Sequence, residues 1–105
     1  MGFAFKENVS DIRNTKIFDL YKILNKKKYN VDIHDPLADL KEVKQQYNID
    51  LIKKPILKKY DSIVFTLPHK QFLKMDLSSI KKFKKNIIII QIKKIFNNKH
   101  VDFTF

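Results

Sequence analysis

The chain has 105 residues, enough for one compact domain around a single core. Its 44% hydrophobic content argues against disorder despite 31% charged residues, and the absence of cysteine excludes disulfide scaffolds, thiolate metal sites and a cysteine nucleophile. The net charge of +11 is almost wholly lysine, because Arg13 is the single arginine among 22 basic residues.

In chain order, the apolar run Met1 to Phe5 reads as a buried strand. Lys6 to Asp11 is polar and carries a turn. Asn14 or Thr15 is placed to cap a helix, and Ile17, Leu20, Tyr21 and Leu24 recur at helical spacing, predicting an amphipathic helix to about Lys27. Tyr29 to His34 alternates and reads as a strand that Asp35-Pro36 ends. Leu40, Val43 and Tyr47 mark a shorter helix, and Asp50 to Ile52 a brief strand. Lys53 to Tyr60 is a basic connector containing Pro55. Ser62 to Leu67 is a strong strand stopped by Pro68, and His69 to Met75 begins a helical turn. Leu77, Ile80 and Phe83 predict another helix. Asn86 to Gln91 is the strongest strand in the chain, Asn97-Asn98 is a turn, and Val101 to Phe105 is a last strand.

Strands alternating with helices predict a small Rossmann-like α/β domain in three layers, with a mainly parallel sheet and helices on both faces. The uninterrupted apolar strands around Ile63 and Ile89 fit burial on both sides. No repeat, low-complexity tract or linker interrupts residues 1–105. A chain that starts directly on a strand is expected to be a domain of something longer. No apolar run approaches the ~20 residues of a membrane span, and Met1 to Ser10 lacks the pattern of a secretion signal, so a cytoplasmic location is expected.

Two features bear on chemistry. Gly2 is the single glycine, so neither a GxGxxG turn nor a Walker loop exists, and the fold is expected without the fingerprint that cradles a dinucleotide. The second is the stretch Gly-Phe-Ala-Phe-Lys-Glu-Asn-Val-Ser-Asp-Ile-Arg-Asn, from Gly2 to Asn14. It delivers Lys6 at the carboxyl end of a strand, where open α/β sheets bind ligands, and sets Arg13 just before a helix N-terminus. A lysine, an arginine and a helix start make an anion site. The plainer alternative is a solvated Lys6 with Arg13 paired to Asp11 or Glu7.

The Glu7-Asn8 and Asp11-Ile12-Arg13-Asn14 form of this stretch resembles the start of the C-terminal, UDP-binding domain of the UDP-glucose/GDP-mannose dehydrogenase family. Within it, the closest likeness is to the bacterial branch that oxidises UDP-N-acetylhexosamines: UDP-N-acetylmannosamine, UDP-N-acetylglucosamine or UDP-N-acetylgalactosamine. Val31 to Asp39 resembles the family's second strand and His-Asp-Pro turn. Tyr60-Asp61 before Ser62 to Phe72 resembles its Tyr-Asp, strand and His-Lys-x-Phe segment, and Ile87 to Asn97 its closing strand and loop. The resemblance implies a three-part enzyme: an NAD-binding domain, a central helical region with a catalytic cysteine that mediates dimerisation, and this domain closing over the UDP-sugar. Such enzymes oxidise a sugar C6 alcohol to a carboxylate by two hydride transfers, for surface polysaccharide synthesis.

By position, the resemblance implies that Phe5 and Lys6 contact the UDP-sugar, with Lys6 near the pyrophosphate, and that Arg13 reaches NAD bound to the other domain. Lys93 or Lys94 takes the place of a basic substrate-binding residue. The family's Asp-x-Lys-Gly form is altered there, with Gln91 for the Asp and Lys94 for the Gly. No catalytic residue is expected in residues 1–105, which alone are expected to be inactive; the full-length enzyme is expected as a homodimer or higher oligomer.

His34 reads as a turn residue, His69 as structural though near the site, and His100 as exposed. No two have metal-ligand spacing. Most of the nine Phe and four Tyr read as core. Net charge alone supports a second reading, a basic nucleic-acid-binding module, but a basic set that is lysine except for Arg13 reads as a solvated surface. A third is a dimerisation piece that pairs through the final strand.

Overall fold

The structure, a computed structural model, describes all 105 residues. The sheet is β1 (Ser62–Phe65), β2 (Ile88–Gln91) and β3 (Phe103–Thr104), in that order and parallel throughout. Ser62 is opposite Ile88, Phe65 is opposite Gln91, and Ile90 is opposite Phe103. Four helices surround it: α1 (Ile17–Lys26), α2 (Leu40–Tyr47), the single turn α3 (Lys70–Leu73) and α4 (Leu77–Phe83). A 3-10 turn at Leu57–Lys59 lies in the basic connector. No helix is long and apolar enough to cross a membrane.

Helix boundaries follow local chemistry. The carboxylate of Asp39 accepts the N–H groups of Lys41 and Glu42, and that of Asp76 accepts those of Ser78 and Ser79, so α2 and α4 each begin on an aspartate cap. Asn48, at φ 57°, ends α2 in the left-handed conformation asparagine tolerates. α1 differs from expectation. Its N-cap is Lys16, which has no capping side chain, and Thr15 instead accepts the Ile17 N–H at 3.2 Å. Asn14, at φ 55°, makes the bend before it.

Three expected strands are not regular strands. Met1 to Phe5, Tyr29 to His34 and Asp50 to Ile52 carry no ladder of their own. They nevertheless lie in sequence against the sheet. The Met1 carbonyl accepts from Thr66 N–H at 3.0 Å, the Gly2 N–H donates to His34 at 2.7 Å, and the Ile52 N–H donates to Ile33 at 2.7 Å. The row therefore runs from Ile52 through Ile33 and Gly2 to β1 and onward. In the first segment, isolated bonds replace a ladder because it bends into a loop that takes its N–H groups elsewhere. Phe3 and Ala4 donate to a side chain, and Phe5 donates to the carbonyl of Asp11.

Two clusters fill the interior. Ile63, Phe65, Phe72, Leu77, Ile80, Ile87, Ile89 and Phe96 pack β1 and β2 against α3 and α4. Phe3, Ile12, Ile33, Val43, Ile49 and Leu51 form the other, with Phe18 and Tyr21 of α1 and Tyr47 of α2 against it. The burial on both sides expected for β1 and β2 holds on one side only: Ile63, Phe65, Ile89 and Gln91 are buried, while Ser62 and Ile88 on the other side are exposed because no helix cluster covers them. Phe103 and Phe105 are exposed, on the side of the sheet that carries Ile90.

Gly2 is required where it stands. Its φ is +109°, and a Cβ there would lie 2.5 Å from Thr66 Oγ1. The Thr66 hydroxyl fills that space, 2.7 Å from the Gly2 carbonyl and 2.9 Å from that of Met1.

Candidate functional site

The carboxyl ends of the row converge on one edge, where Phe5 and Lys6, Asp35, His69, and the loop after β2 all emerge. Its centre is a buried pair, Asp35 and His69, whose side chains are both fully covered. Asp35 Oδ2 accepts the N–H of Phe3 at 2.7 Å, that of Ala4 at 2.9 Å and His69 Nε2 at 2.9 Å. Its Oδ1 accepts the N–H of Leu37 at 2.8 Å and of Ala38 at 3.2 Å. Burial alone would raise this carboxyl. The donors from Phe3, His69, Leu37 and Ala4 outweigh it and hold the group below the ordinary carboxylate value.

On the other side of the ring, His69 Nδ1 lies 2.9 Å from the Asn8 main-chain nitrogen. An amide N–H only donates, so Nδ1 is the acceptor, and the neutral ring carries its proton on Nε2, facing Asp35. Asn8 sits at φ 60° and its side-chain oxygen accepts the Lys70 N–H at 2.9 Å. The loop after the first segment is thus pinned to the turn after β1 at two points.

That loop carries the expected cations. Lys6 is exposed and has no ion-pair partner within reach. Arg13 is 76% exposed and grips Asp11 through two parallel bonds: Nε to Oδ1 at 3.1 Å and Nη2 to Oδ2 at 3.0 Å. Asp11 also accepts the Arg13 N–H, and its carboxyl is lowered to about 2, first by the guanidinium bonds and also by the charge of Lys6. The Phe5 N–H donates to the Asp11 carbonyl at 2.6 Å, so Lys6 and Arg13 share one loop, and their own contacts are those of the plainer alternative, an exposed Lys6 and an Arg13–Asp11 pair. Of the two partners open to Arg13 in the sequence, the structure selects Asp11 over Glu7. Phe5 is 56% exposed and stands beside them in the same loop.

Lys93 and Lys94 lie in a separate loop, after β2, both exposed and without side-chain bonds. The substituted Gln91 organises that loop. Its buried amide oxygen accepts the N–H of Ile95 at 3.0 Å and of Phe96 at 2.7 Å, while its nitrogen donates to the Phe96 carbonyl and to Thr104 Oγ1.

The remaining histidines are structural. His34 Nδ1 donates to the Ile52 carbonyl at 2.7 Å. His100 is half-buried, where exposure was expected, because the turn from Asn98 folds its backbone onto the Asn98 side chain. No group of three or more His, Asp or Glu residues is placed to hold a metal ion. A recess of about 60 Å³ is lined by Met1, Asp32, His34 and Tyr60 among others, with neither Lys6 nor Arg13 in its wall. Tyr60 donates to Asp32 at its rim, and its hydroxyl is pushed up to about 12.

The residues present do not form a dinucleotide cradle. The single glycine is packed under Thr66 and Leu67, leaving no room for a pyrophosphate against its backbone. The sequence reading missed Asn8, Asp35 and His69 as a unit. The signal was there in a buried-looking Asp-Pro and a His-Lys, each directly after a strand.

Residues 1–98 match the UDP-glucose/GDP-mannose dehydrogenase family, UDP binding domain. Among curated relatives, the chain is 42% identical over 86 residues to UDP-N-acetyl-D-glucosamine 6-dehydrogenase of Salmonella typhi, covering 82% of this chain and 20% of the relative. It is 36% identical over 98 residues to Protein CapL of Staphylococcus aureus, covering 93% and 23%. It is 34% identical over 85 residues to UDP-N-acetyl-D-glucosamine 6-dehydrogenase of Pseudomonas aeruginosa, covering 81% and 20%. The chain thus spans about a fifth of the length of these relatives. With the match running through the cation loop, the buried pair and the loop after β2, this chain belongs to the UDP-glucose/GDP-mannose dehydrogenase family, as its UDP-binding domain.

Proposed function

We propose that this chain binds the UDP-sugar in an NAD-dependent nucleotide-sugar 6-dehydrogenase that oxidises a UDP-N-acetylhexosamine to its uronic acid for surface polysaccharide synthesis. The carrying observation is the family match over residues 1–98 together with an exposed Lys6 and Arg13 in one loop at the carboxyl edge of the row, which the Phe5 N–H closes onto the Asp11 carbonyl at 2.6 Å. Two relatives named for UDP-N-acetyl-D-glucosamine support the substrate class. Two interior clusters, one under α1 and α2 and the other under α3 and α4, support helices on both faces.

Within this reading, Lys6 sits against the pyrophosphate and Phe5 lies along the nucleotide. Lys93 and Lys94 approach from the loop after β2. Arg13 turns its guanidinium toward NAD held by a domain outside residues 1–105, where a planar fork suits a phosphate better than an ammonium does. NAD accepts the hydride when bound. The residues here supply charge and position, and none is catalytic. The NAD-binding and central domains, and assembly as a homodimer or higher oligomer, belong to the full-length enzyme.

Nuclear magnetic resonance titration of the labelled chain with UDP and with UDP-N-acetylglucosamine tests this. The expected result is saturable shifts at Phe5, Lys6 and Lys93 that weaken in the Lys6→Ala variant. Saturation with no shift at any of these residues, or shifts only with DNA or RNA, overturns it.

A further inference from the structure

His69 is a fully buried imidazole that touches no surface a ligand can reach, yet every bond it makes ties down a part of the binding edge. Asp35 gathers the N–H groups of Phe3 and Ala4, the residues that lead directly into Phe5 and Lys6. His69 is held by that carboxylate through Nε2. Through Nδ1 it holds Asn8, two residues beyond Lys6. Asn8 returns the contact by accepting the Lys70 N–H. Lys6 is therefore bracketed: Ala4 is anchored on one side and Asn8 on the other, both to the same buried pair. A long, strongly hydrated lysine side chain gains affinity from such fixing, because less freedom is lost when it meets an anion.

We propose that neutral His69 and Asn8 are positioning residues for the anion-binding loop, with the Nδ1 acceptor, rather than the bulk of the ring, setting where Lys6 stands. This rests on the UDP-binding reading above and names how that site is held. The tautomer is essential to it. With the proton on Nε2, the ring offers a lone pair to Asn8; a ring protonated at both nitrogens would set two N–H groups against each other there.

Two substitutions separate the ends of the ring. In His69→Asn, the side-chain oxygen occupies the place of Nδ1 and keeps an acceptor for Asn8. In His69→Gln, the side-chain nitrogen reaches the place of Nε2 and keeps the Asp35 contact, with nothing for Asn8. Amide exchange and UDP titration are read on the full chain and on both variants, with the melting temperature as a folding control. The expected result is that Asn8 amide protection falls roughly fivefold in His69→Gln and is retained in His69→Asn. UDP affinity is expected to fall by a similar factor in His69→Gln alone.

Equal Asn8 protection in all three proteins overturns the proposal, as does loss of protection in His69→Gln with unchanged UDP affinity. If His69→Gln fails to fold, Asn8→Gly takes its place. It keeps the left-handed backbone and the N–H but removes the tie to Lys70, and an unchanged UDP affinity there is equally contrary. If the unsubstituted chain binds no UDP while the Asn8 pattern holds, it is the binding reading that fails, and the role of His69 is confined to holding the loop.

Discussion

The amide oxygen of Gln91 accepts the main-chain N–H of Phe96 at 2.7 Å and that of Ile95 at 3.0 Å, and so closes the loop that carries Lys93 and Lys94. The side chain is buried at the end of β2, so these bonds form away from competing water. Gln91→Ala leaves both N–H groups and the Phe96 carbonyl without their partner. A loss of about 2 kcal/mol in urea unfolding is expected, with raised backbone mobility confined to residues 92–96 in relaxation measurements. Mobility that spreads through β1 would instead assign Gln91 to the core.

The Asp11–Arg13 pair sets a pH signature. Asp11 is held at about 2, against 3.8 unperturbed, so its contribution is complete above the unperturbed value and is lost as pH falls toward 2. In Arg13→Ala the Asp11 carboxyl, followed by its carbon chemical shift, is expected to titrate close to the unperturbed value. Both groups face solvent, and melting temperature is expected to change little.

Asp35 behaves differently because it is covered. Its folded-state value is also depressed, so the stability it confers is present above the ordinary carboxylate range and lost on acidification below it. Asp35→Asn turns one oxygen into a donor facing the donors from Phe3, Ala4 and His69. The expected cost is about 3 kcal/mol by denaturant unfolding at neutral pH, shrinking as the reference protein is acidified. A cost that stays constant with pH would mean that the carboxylate charge contributes nothing.

Gly2→Ala places a methyl group against Thr66 Oγ1 at a backbone angle alanine disfavours. A loss of about 2 kcal/mol is expected. The double variant Gly2→Ala with Thr66→Ala is expected to recover part of it, since the hydroxyl contact is removed while the backbone strain remains. Additive losses would show that the two residues do not meet.

Elements with strong periodicity were legible in the sequence: α1, α2, α4, β1 and β2 fall where their apolar residues recur. Met1 to Phe5 and Tyr29 to His34 were legible as segments of the row but not as what they are, because a strand pattern records which side chains are buried and is silent on where N–H groups go. Phe3 and Ala4 give theirs to Asp35, 31 residues or more away in sequence. The same holds for the site. Lys6 and Arg13 stand out by charge and spacing. Asn8, Asp35 and His69 are joined only by tertiary folding, and each alone reads as an ordinary turn residue.

The first segment lies between the Ile33–His34 segment and β1, and its bonds to Val64 and Thr66 span more than 60 residues of chain. The middle of the row is thus the seam that joins the most distant parts of the chain. A nascent chain that has emerged only as far as the basic connector holds one interior cluster and lacks the strand that joins it to the other. Closing that seam spans the longest stretch of chain among the row's pairings and carries the largest loop-closure entropy among them.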